Sequence, residues 1–384
     1  MRIGLFTDAY FPRINGVATS VLMLKQNYEA MGHDVLVVTT TDPEAPFIEN
    51  NIIRIPSIPF KTQRLGLIAG FKARRNIKNF KPDIIHTHSE YTLGLLGRAM
   101  AKKLAVPYIH TMHTVWEYYT EHIIRIELLE PTARAAARKY TALICNRADK
   151  VIVPTGKVND LLESYGVHKE ITVIPTGIEL EKFDKERCTQ KQIDKTRKEL
   201  GISPNDKVLL YIGRIEKEKN IDELLVSLKE YLLSHKDVKL VLVGDGTARR
   251  DLQKLTDELG IGNHVIFTGL RPWDMIYLYY RIGDVFVGAS ISETQGLTYT
   301  EAMASGLPVI ARQDRCLDGI LTHGENGFMF TDTDGLICAI EKLLGDDEMR
   351  QRFSEKALAA SMKFSSKAYA ENVLAVYNEL CVVM

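Results

Sequence analysis

Short apolar segments alternate with helical patterns along nearly the whole chain, and this alternation limits the folds that it can adopt. Alternation of this kind is typical of parallel, doubly wound α/β sheets. The first set of predicted strands lies at 3–6, 34–38, 84–86, 106–110, 151–153 and 171–174. After a polar stretch at 179–206, a second set lies at 208–212, 239–243, 265–268, 284–287 and 309–310. The chain is therefore predicted to fold into two α/β sheets.

The length of the chain indicates two domains. Its 384 residues exceed the size at which one hydrophobic core keeps growing. We predict Rossmann-like domains at 1–180 and 181–366, and a helix at 367–384 whose packing the sequence leaves open. Open α/β sheets bind ligands beyond the carboxyl ends of their strands, so we expect the site in a cleft across which the two domains face each other.

The composition is that of an ordinary soluble globular protein. The chain is 45% hydrophobic and 26% charged with a formal net charge of zero, which does not suggest a nucleic-acid partner. Five scattered cysteines without a CxxC pair indicate reduced thiols and a cytoplasmic protein. The first residues are typical of a core strand rather than a signal peptide, and no apolar run reaches the roughly 18 residues of a membrane span. Any membrane contact is expected to be peripheral.

Two carboxylates with seven residues between them mark the part of the chain with the most candidate functional groups, 284–310. Glu293 falls in the loop after a predicted strand, and Glu301 falls in a predicted helix at 296–304. The backbone N–H groups that begin this helix can donate to ligand oxygens, and they belong to Thr294, Gln295 and Gly296. Two acids at different depths suit a polyhydroxylated ligand. The alternative is that Glu293 caps the helix and Glu301 is solvated.

Two glycine-containing turns are candidate phosphate sites. Gly213 follows a predicted strand and leads to Arg214 and Lys219, which offer two cations to a diphosphate. Gly16 opens a predicted helix after the loop at 10–15, where backbone can approach a phosphate. In isolation, each motif is more typical of an ordinary turn between a strand and a helix than of a phosphate site.

Four histidines follow two neighbouring predicted strands: His86, His88, His110 and His113. No carboxylate or thiol spacing accompanies them, so we expect no metal site and interpret His113 as a hydrogen-bonding group at the floor of the cleft. Asp332 and Asp334 resemble a chelating DxD pair, but they open a predicted helix, and helix capping explains them.

A segment at 61–81 carries seven Lys or Arg residues and no acid, with apolar residues interleaved. Such a segment can lie on an anionic bilayer surface, or it can be a solvated helix whose apolar face packs on the sheet. Its candidate membrane-binding residues are Lys61, Arg64, Lys72, Arg74, Arg75 and Lys78.

Taken together, these motifs resemble glycosyltransferase family 4, whose members are retaining enzymes with the two-domain GT-B fold. The motifs that carry the resemblance are Gly16, His113, Gly213-Arg214 with Lys219, and Glu293-x7-Glu301 followed by ASGLPVI. The resemblance implies that Arg214 and Lys219 hold the donor diphosphate. It further implies that Glu301 binds the ribose hydroxyls, that Glu293 binds the transferred hexose and that no metal or other cofactor is required. Backbone around Gly16 and at Thr294, Gln295 and Gly296 assists.

More narrowly, four stretches resemble bacterial diacylglycerol glucosyltransferases, which use UDP-glucose: FTDAYFPRINGVATS, HTMHTVWEYYTEH, GRIEKEKNIDELL and SETQGLTYTEAMASGLPVIARQDRCLDG. The resemblance implies a lipid acceptor and a peripheral location at the inner face of the cell membrane. Its acceptor-side residues are Tyr10, Asn15, His113 and Tyr118, although Tyr118 stands where those enzymes usually carry an acid. Other acceptors, such as phosphatidylinositol or a soluble molecule, stay open. A sugar-nucleotide epimerase and a non-catalytic nucleotide-sugar-binding module are the alternatives from other classes.

Overall fold

A computed structural model of the chain describes residues 1–13, 15–46, 50–60, 63–67, 69–119 and 130–382. The chain divides into two compact units. The first contains Met1–Gly177 and Ser366–Met384, and the second contains Ile178–Ser365. The chain thus leaves the first unit once and returns to it for its last helix.

The first unit is built on a parallel sheet with the strand order β3-β2-β1-β6-β7-β8-β9. Its strands are β1 Arg2–Phe6, β2 Asp34–Thr40, β3 Ile52–Ile55, β6 Ile84–Thr87, β7 Tyr108–Thr111, β8 Lys150–Val153 and β9 Ile171–Val173. An antiparallel hairpin joins β4 Ser57–Phe60 to β5 Gln63–Gly66. Its helices are α1 Gly16–Ala30, α2 Phe71–Phe80, α3 Thr92–Leu104, α4 Glu130–Cys145 and α5 Gly156–Ser164.

The second unit has a parallel sheet with the order β12-β11-β10-β13-β14-β15. Its strands are β10 Lys207–Ile212, β11 Val238–Val243, β12 Val265–Gly269, β13 Val285–Gly288, β14 Val309–Arg312 and β15 Gly327–Phe330. Its helices are α6 Gln190–Glu199, α7 Ile221–Ser234, α8 Arg249–Glu258, α9 Ile276–Ile282, α10 Leu297–Ala304, α11 Thr333–Gly345 and α12 Asp347–Ser361. The last helix of the chain, α13 Ser366–Val382, belongs to the first unit.

The two faces of each sheet bury separate apolar cores, because successive side chains of a strand point to opposite faces. In β2, Leu36 and Val38 enter one core while Val35 and Val37 enter the other. The same alternation divides β10 between two cores of the second unit. Strands that are buried on both faces explain the nearly continuous apolar runs in the sequence. The prediction of two doubly wound α/β units is therefore confirmed.

Helix α13, whose packing the sequence leaves open, covers one face of the first sheet. Tyr369, Val373 and Tyr377 are buried there in the core that contains β1 and β2. Polar contacts add to this packing, since Lys150 of β8 donates to Glu379 of α13 over 2.6 Å. One face of the first sheet is therefore covered by α1 together with the final 17-residue helix.

Several predicted boundaries need correction. Helix α10 begins at Leu297, with Gly296 as its N-cap residue in the left-handed region, so the predicted start at residue 296 is wrong by one position. Strand β7 is Tyr108–Thr111 rather than 106–110, because Pro107 cannot donate to a strand ladder. Strand β3 and the hairpin of β4 and β5 were not predicted, because polar residues or proline interrupt their apolar residues and leave no continuous apolar run.

Candidate active site

In the second unit, the strand order reverses between β10 and β13. From β10 the chain continues to β11 and β12 on one side of the sheet, whereas β13 is followed by β14 and β15 on the other. The two strands are neighbours, with Leu210 opposite Phe286. The connections that leave their carboxyl ends therefore diverge and open a crevice, the position where open α/β sheets bind ligands. Except for Gly16, which lies in the first unit, the predicted donor-binding residues follow these two strands.

Lys219 and Glu293 meet in this crevice although they are far apart in the sequence. The Nζ atom of Lys219 donates to Oε1 of Glu293 over 2.6 Å, and both side chains are largely buried. Two further contacts join the loops that carry them. Ser292 donates its hydroxyl to the Glu218 carbonyl over 3.1 Å, and the Asn220 amide donates to the Ala289 carbonyl over 3.3 Å. Glu293 therefore acts as the partner of a cation.

Arg214 belongs to the same turn and is more exposed than Lys219. Its guanidinium donates to Oε1 of Glu218 over 2.8 Å, with 54% of the side chain exposed. The backbone carbonyl of Arg214 accepts from the hydroxyl of Tyr211, which is buried at the end of β10. The Tyr211 hydroxyl thus fixes the turn that starts at Gly213, and the exposed guanidinium of Arg214 can contact an anion.

The loop that follows β13 leads to α10, and the N-terminus of this helix lies at the crevice. Gly296 has a φ of +74°, and a Cβ atom there would lie 2.5 Å from the Tyr299 ring, so this position requires glycine. Gly296, the N-cap residue, has no side chain that could cap the first turn of α10. Gln295 is buried just before the helix. The helix N-terminus therefore lies at the crevice, the position at which helix N–H groups can bind ligand oxygens.

Glu301 is buried inside the second unit, with 5% of its surface exposed. Its Oε2 atom accepts from the Tyr280 hydroxyl over 2.6 Å. Burial raises the pKa of Glu301 to about 7, although the Tyr280 hydrogen bond and the charge of Lys182 both lower it. The interpretation of Glu301 as a solvated helical acid is therefore wrong, and its carboxyl group titrates near neutral pH.

The first unit has its own switch point, between β1 and β6. The loops that follow these neighbouring strands are joined through Asp8, whose carboxylate accepts from Ser89 over 2.6 Å and from Thr92 over 2.8 Å. The backbone N–H of Leu93 also points to this carboxylate, at 3.3 Å from Oδ2. Asp8 thus stabilises the first turn of α3 and fixes the two loops against each other.

The predicted residues Tyr10, Asn15 and Gly16 lie along the first of these loops. Tyr10 is buried in the core. Asn15 is the N-cap of α1, and its side-chain oxygen accepts from the Ala18 N–H over 2.9 Å. Gly16 is the first residue of that helix. The structure therefore places Gly16 at a helix N-terminus beside the switch point, as the phosphate hypothesis expects.

His113 lies beyond β7 in a cluster with the other three predicted histidines. Nδ1 of His88 and Nε2 of His113 are 3.0 Å apart. Burial, together with neighbouring His110, lowers the pKa of His113 to about 3, so its imidazole is neutral near pH 7. His86 contacts the hydroxyls of Tyr377 and Thr111, both over 2.6 Å. Within this cluster, His88 and His113 are thus paired with each other, and His86 is bound by hydroxyl groups. No group of three or more metal ligands occurs within the described ranges.

Tyr118 lies in a short helical turn at Trp116–Tyr119, but its side chain is outside the described residues. The turn itself is held from two sides. The Trp116 indole donates to Glu90 over 3.1 Å, and Glu117 accepts from Arg138 and Tyr165. The turn that follows His113 therefore has a fixed position on the first unit.

Sequence reasoning did not select Asp8, Glu90 and Tyr280. Asp8 directly follows a predicted strand at the switch point, and this position was a usable signal. Glu90 also follows a strand, although its contact with Trp116 depends on the fold. Tyr280 stands in an apolar run that is typical of a buried helix. Only the packing of α9 against α10 brings its hydroxyl to Glu301.

The basic segment of the first unit forms a surface around α2. Within this helix only Ile77 is fully buried, whereas Phe71 is 81% exposed. The side chains of Lys72, Arg74, Arg75 and Lys78 are exposed, and that of Arg64 is partly buried against Ser57. Lys61 lies outside the described residues. We call Arg64, Phe71, Lys72, Arg74, Arg75 and Lys78 the basic surface.

The two α/β units correspond to the architecture of known nucleotide-sugar enzymes. The crystal structure of Anabaena HepE in complex with UDP matches 99% of this chain and 100% of that chain, with a TM-score of 0.78 at 20% identity. Sucrose-phosphate synthase from Thermosynechococcus elongatus matches all of both chains, with a TM-score of 0.76 at 22% identity. The fold is therefore that of the GT-B glycosyltransferases.

Sequence comparison identifies the family. The model of the family described as Glycosyltransferase Family 4 matches residues 14–182, and that of Glycosyl transferases group 1 matches 192–359. An alpha-monoglucosyldiacylglycerol synthase from Streptococcus pneumoniae is 41% identical over 97% of this chain and 85% of its own length. A second, from Acholeplasma laidlawii, is 35% identical over 99% and 97%. This chain belongs to glycosyltransferase family 4, and it is a glycosyltransferase enzyme.

The helices that the structure describes include none with the length and apolar character needed to cross a bilayer.

Proposed function

We propose that the protein transfers glucose from UDP-glucose to 1,2-diacylglycerol, with retention of configuration, and forms α-monoglucosyl-diacylglycerol. The observation that carries this proposal is the similarity, over nearly the whole chain, to two alpha-monoglucosyldiacylglycerol synthases at 41% and 35% identity. A D-inositol 3-phosphate glycosyltransferase from Corynebacterium jeikeium is less similar, at 31% identity over 78% of this chain. A diacylglycerol acceptor is therefore favoured over an inositol phosphate.

In this proposal the second unit binds the donor. Arg214 and Lys219 hold the diphosphate, Glu301 accepts hydrogen bonds from the ribose hydroxyls and Glu293 accepts them from the hexose. Negative charge develops on the leaving phosphate as the glycosidic bond breaks, so fixed cations and the N-terminus of α10 stabilise the transition state more than the ground state. With these groups to balance the charge, we propose that the reaction needs no metal ion.

The acceptor hydroxyl attacks the anomeric carbon on the face from which UDP departs. The bond from that carbon to the phosphate oxygen breaks, a bond to the acceptor oxygen forms, and the leaving phosphate takes the acceptor's proton. Neutral His113 contacts the sugar as a hydrogen-bonding group and does not act as a cationic acid. Tyr10, Asn15 and Tyr118 belong to the acceptor side of this site.

We further propose that the basic surface binds the protein to the anionic inner face of the cell membrane. Diacylglycerol is confined to a bilayer, so the enzyme has to reach it there. The combination of exposed Phe71 with exposed Lys72, Arg75 and Lys78 supports this role, because an aromatic side chain can enter the interface while cations pair with anionic lipids.

The test is product analysis after incubation of purified protein with UDP-glucose and diacylglycerol in anionic vesicles. We expect a single α-glucosyl-diacylglycerol and stoichiometric UDP. A parallel reaction with GDP-mannose and phosphatidylinositol tests the other lipid acceptor, and a reaction without acceptor tests epimerisation. Lipid product only with phosphatidylinositol, or a new free sugar without any acceptor, would contradict the proposal.

A further inference from the structure

Among the described residues, the hydroxyl group of Tyr280 is the one hydrogen-bond partner that the structure gives to a carboxyl oxygen of Glu301. The distance from this hydroxyl to Oε2 is 2.6 Å. Both groups are buried, with 0% of Tyr280 and 5% of Glu301 exposed. A tyrosine on α9 therefore holds an oxygen of the carboxylate that our proposed function assigns to the ribose.

The ring of Tyr280 is held in place on two further sides. The Phe183 ring packs against it edge-on, with 5.6 Å between centroids. The Phe286 ring, on β13, stacks with it at 6.1 Å. Since aromatic neighbours restrict the ring, the direction of its O–H bond toward Glu301 is set by the core of the second unit.

Two groups of the described chain act electrostatically on the Glu301 carboxyl group. One is Tyr280 from α9, and the other is Lys182 from the short helical turn Leu180–Phe183. Helix α12 and strand β14 also pack on α10. Burial raises the pKa of Tyr280 well above its ordinary value, so the phenol keeps its proton and can donate.

We propose that Tyr280 is a positioning residue for the nucleotide, because its hydroxyl fixes the Glu301 carboxylate in the orientation and ionised form that accept the ribose hydroxyls of UDP. This inference rests on the proposed function. A carboxylate with one oxygen held by a buried donor loses little further freedom when it binds a diol. An ionised carboxylate also accepts stronger hydrogen bonds than the neutral acid.

The test is UDP binding by calorimetry from pH 5.5 to 9, with the full-length protein. In the wild type, affinity should rise with pH through a midpoint near 7, because the carboxylate form of Glu301 becomes populated there. Tyr280→Phe removes the hydroxyl but keeps the ring. We expect its midpoint to move up by about one pH unit and its affinity at pH 7 to fall about fivefold, with a smaller loss at pH 9.

Tyr369→Phe is the matched control, since it also removes one buried hydroxyl, which lies 2.8 Å from Ser20 in the first unit. It should lower thermal stability comparably and leave the midpoint of UDP binding unchanged. Replacing Tyr280 with 3-fluorotyrosine gives a second variant that keeps the hydroxyl and makes it a stronger donor. Its midpoint should fall below that of the wild type.

If the pH midpoint of UDP binding is unchanged in Tyr280→Phe, Tyr280 only packs in the core and the inference is overturned. If Tyr280→Phe does not fold, an unchanged midpoint in the 3-fluorotyrosine protein has the same meaning. This result leaves the proposed function intact, because UDP still binds. Failure of the wild-type protein to bind UDP would instead contradict the proposed donor, and the inference with it.

Discussion

At the scale of single residues, the pair of Lys219 and Glu293 shows how the site holds its charges before the donor arrives. Lys219 has three N–H bonds and uses one toward Glu293 over 2.6 Å, so the same ammonium can also donate to a phosphate. In the proposed mechanism negative charge develops beside Lys219, and Lys219→Ala removes this cation. We expect turnover with UDP-glucose to fall on the order of a hundredfold, measured as kcat.

Lys217→Ala is the control for this prediction, because Lys217 belongs to the same short turn Lys217–Lys219 and has an exposed side chain. It should retain nearly normal turnover. A near-normal kcat in Lys219→Ala, with the control unaffected, would contradict the proposed role of Lys219 in stabilising the leaving phosphate.

Burial of Glu301 also has a consequence for stability. Its pKa is about 7 in the folded protein and near 4.5 when unfolded, so the folded state binds more protons between these values. Stability therefore falls as the pH rises from about 4.5 to 7. Each pKa unit corresponds to 1.36 kcal/mol, which makes the cost about 3 kcal/mol at pH 8.

Glu301→Gln should accordingly raise the stability of the second unit at pH 8 by about 2–3 kcal/mol and change it little at pH 4, where the native carboxyl group is already neutral. Denaturant unfolding at the two pH values measures this difference, and UDP binding should weaken in the same variant. Equal effects at both pH values would show that Glu301 does not titrate as described. A gain in stability with a loss of binding is typical of residues retained for function.

At the scale of elements, α2 is the part of the basic surface that a mutation can test without disturbing the sheet. Lys72 and Arg75 are exposed, whereas Ile77 on the same helix is buried and attaches it to the core. A basic residue near an anionic bilayer contributes about 1 kcal/mol. Lys72→Gln with Arg75→Gln should therefore weaken binding to anionic vesicles roughly 30-fold at low salt.

Co-sedimentation with vesicles measures this effect, and added salt should reduce the wild-type binding toward that of the variant. Lys102→Gln with Lys103→Gln, on the last turn of α3, removes the same charge from exposed positions outside the basic surface. Equal losses in the two double variants would indicate general electrostatic attraction rather than docking through α2.

The elements also show where sequence reasoning succeeds. Strands such as β10 and β11 are buried on both faces, so nearly all of their residues are apolar. Such a run can be recognised in the sequence without a structure. The hairpin of β4 and β5 has no such run, since Ile58 is half exposed and Pro59 interrupts the pattern. The sequence also places Lys219 and Glu293 in loops after strands. Their contact, however, requires β10 to lie beside β13, and this order follows from the packing of the whole unit.

At the scale of the whole molecule, the first unit is assembled from both ends of the chain. Helix α13 buries Tyr369, Val373 and Tyr377 against the first sheet. Burial of a large apolar side chain contributes about 1.5–3 kcal/mol, so this helix supplies a stabilisation comparable to the 5–15 kcal/mol of a typical domain. The first 177 residues are therefore not expected to fold stably without it.

The chain leaves and re-enters the first unit at adjacent points, because Ile178 and Ser365 form a parallel β-bridge. A fragment of residues 178–365 has both cores of its sheet and should fold alone and bind UDP. A fragment of residues 1–177 should not unfold cooperatively. Joining residue 177 to residue 366 through a short Gly-Ser linker should restore a cooperative unfolding transition. A short linker suffices because the bridged residues next to these ends, Ile178 and Ser365, are about one inter-strand spacing of 4.8 Å apart.

Circular dichroism during heating distinguishes these fragments. A cooperative transition of fragment 1–177 at the same temperature as the linked form would contradict the structural role of α13. Tyr377→Phe in the linked form tests a smaller loss of contacts between α13 and the first sheet, because it removes only the hydroxyl that contacts His86 over 2.6 Å. The loss of that buried hydrogen bond should cost about 1 kcal/mol and leave the transition cooperative, whereas the loss of the whole helix should abolish it.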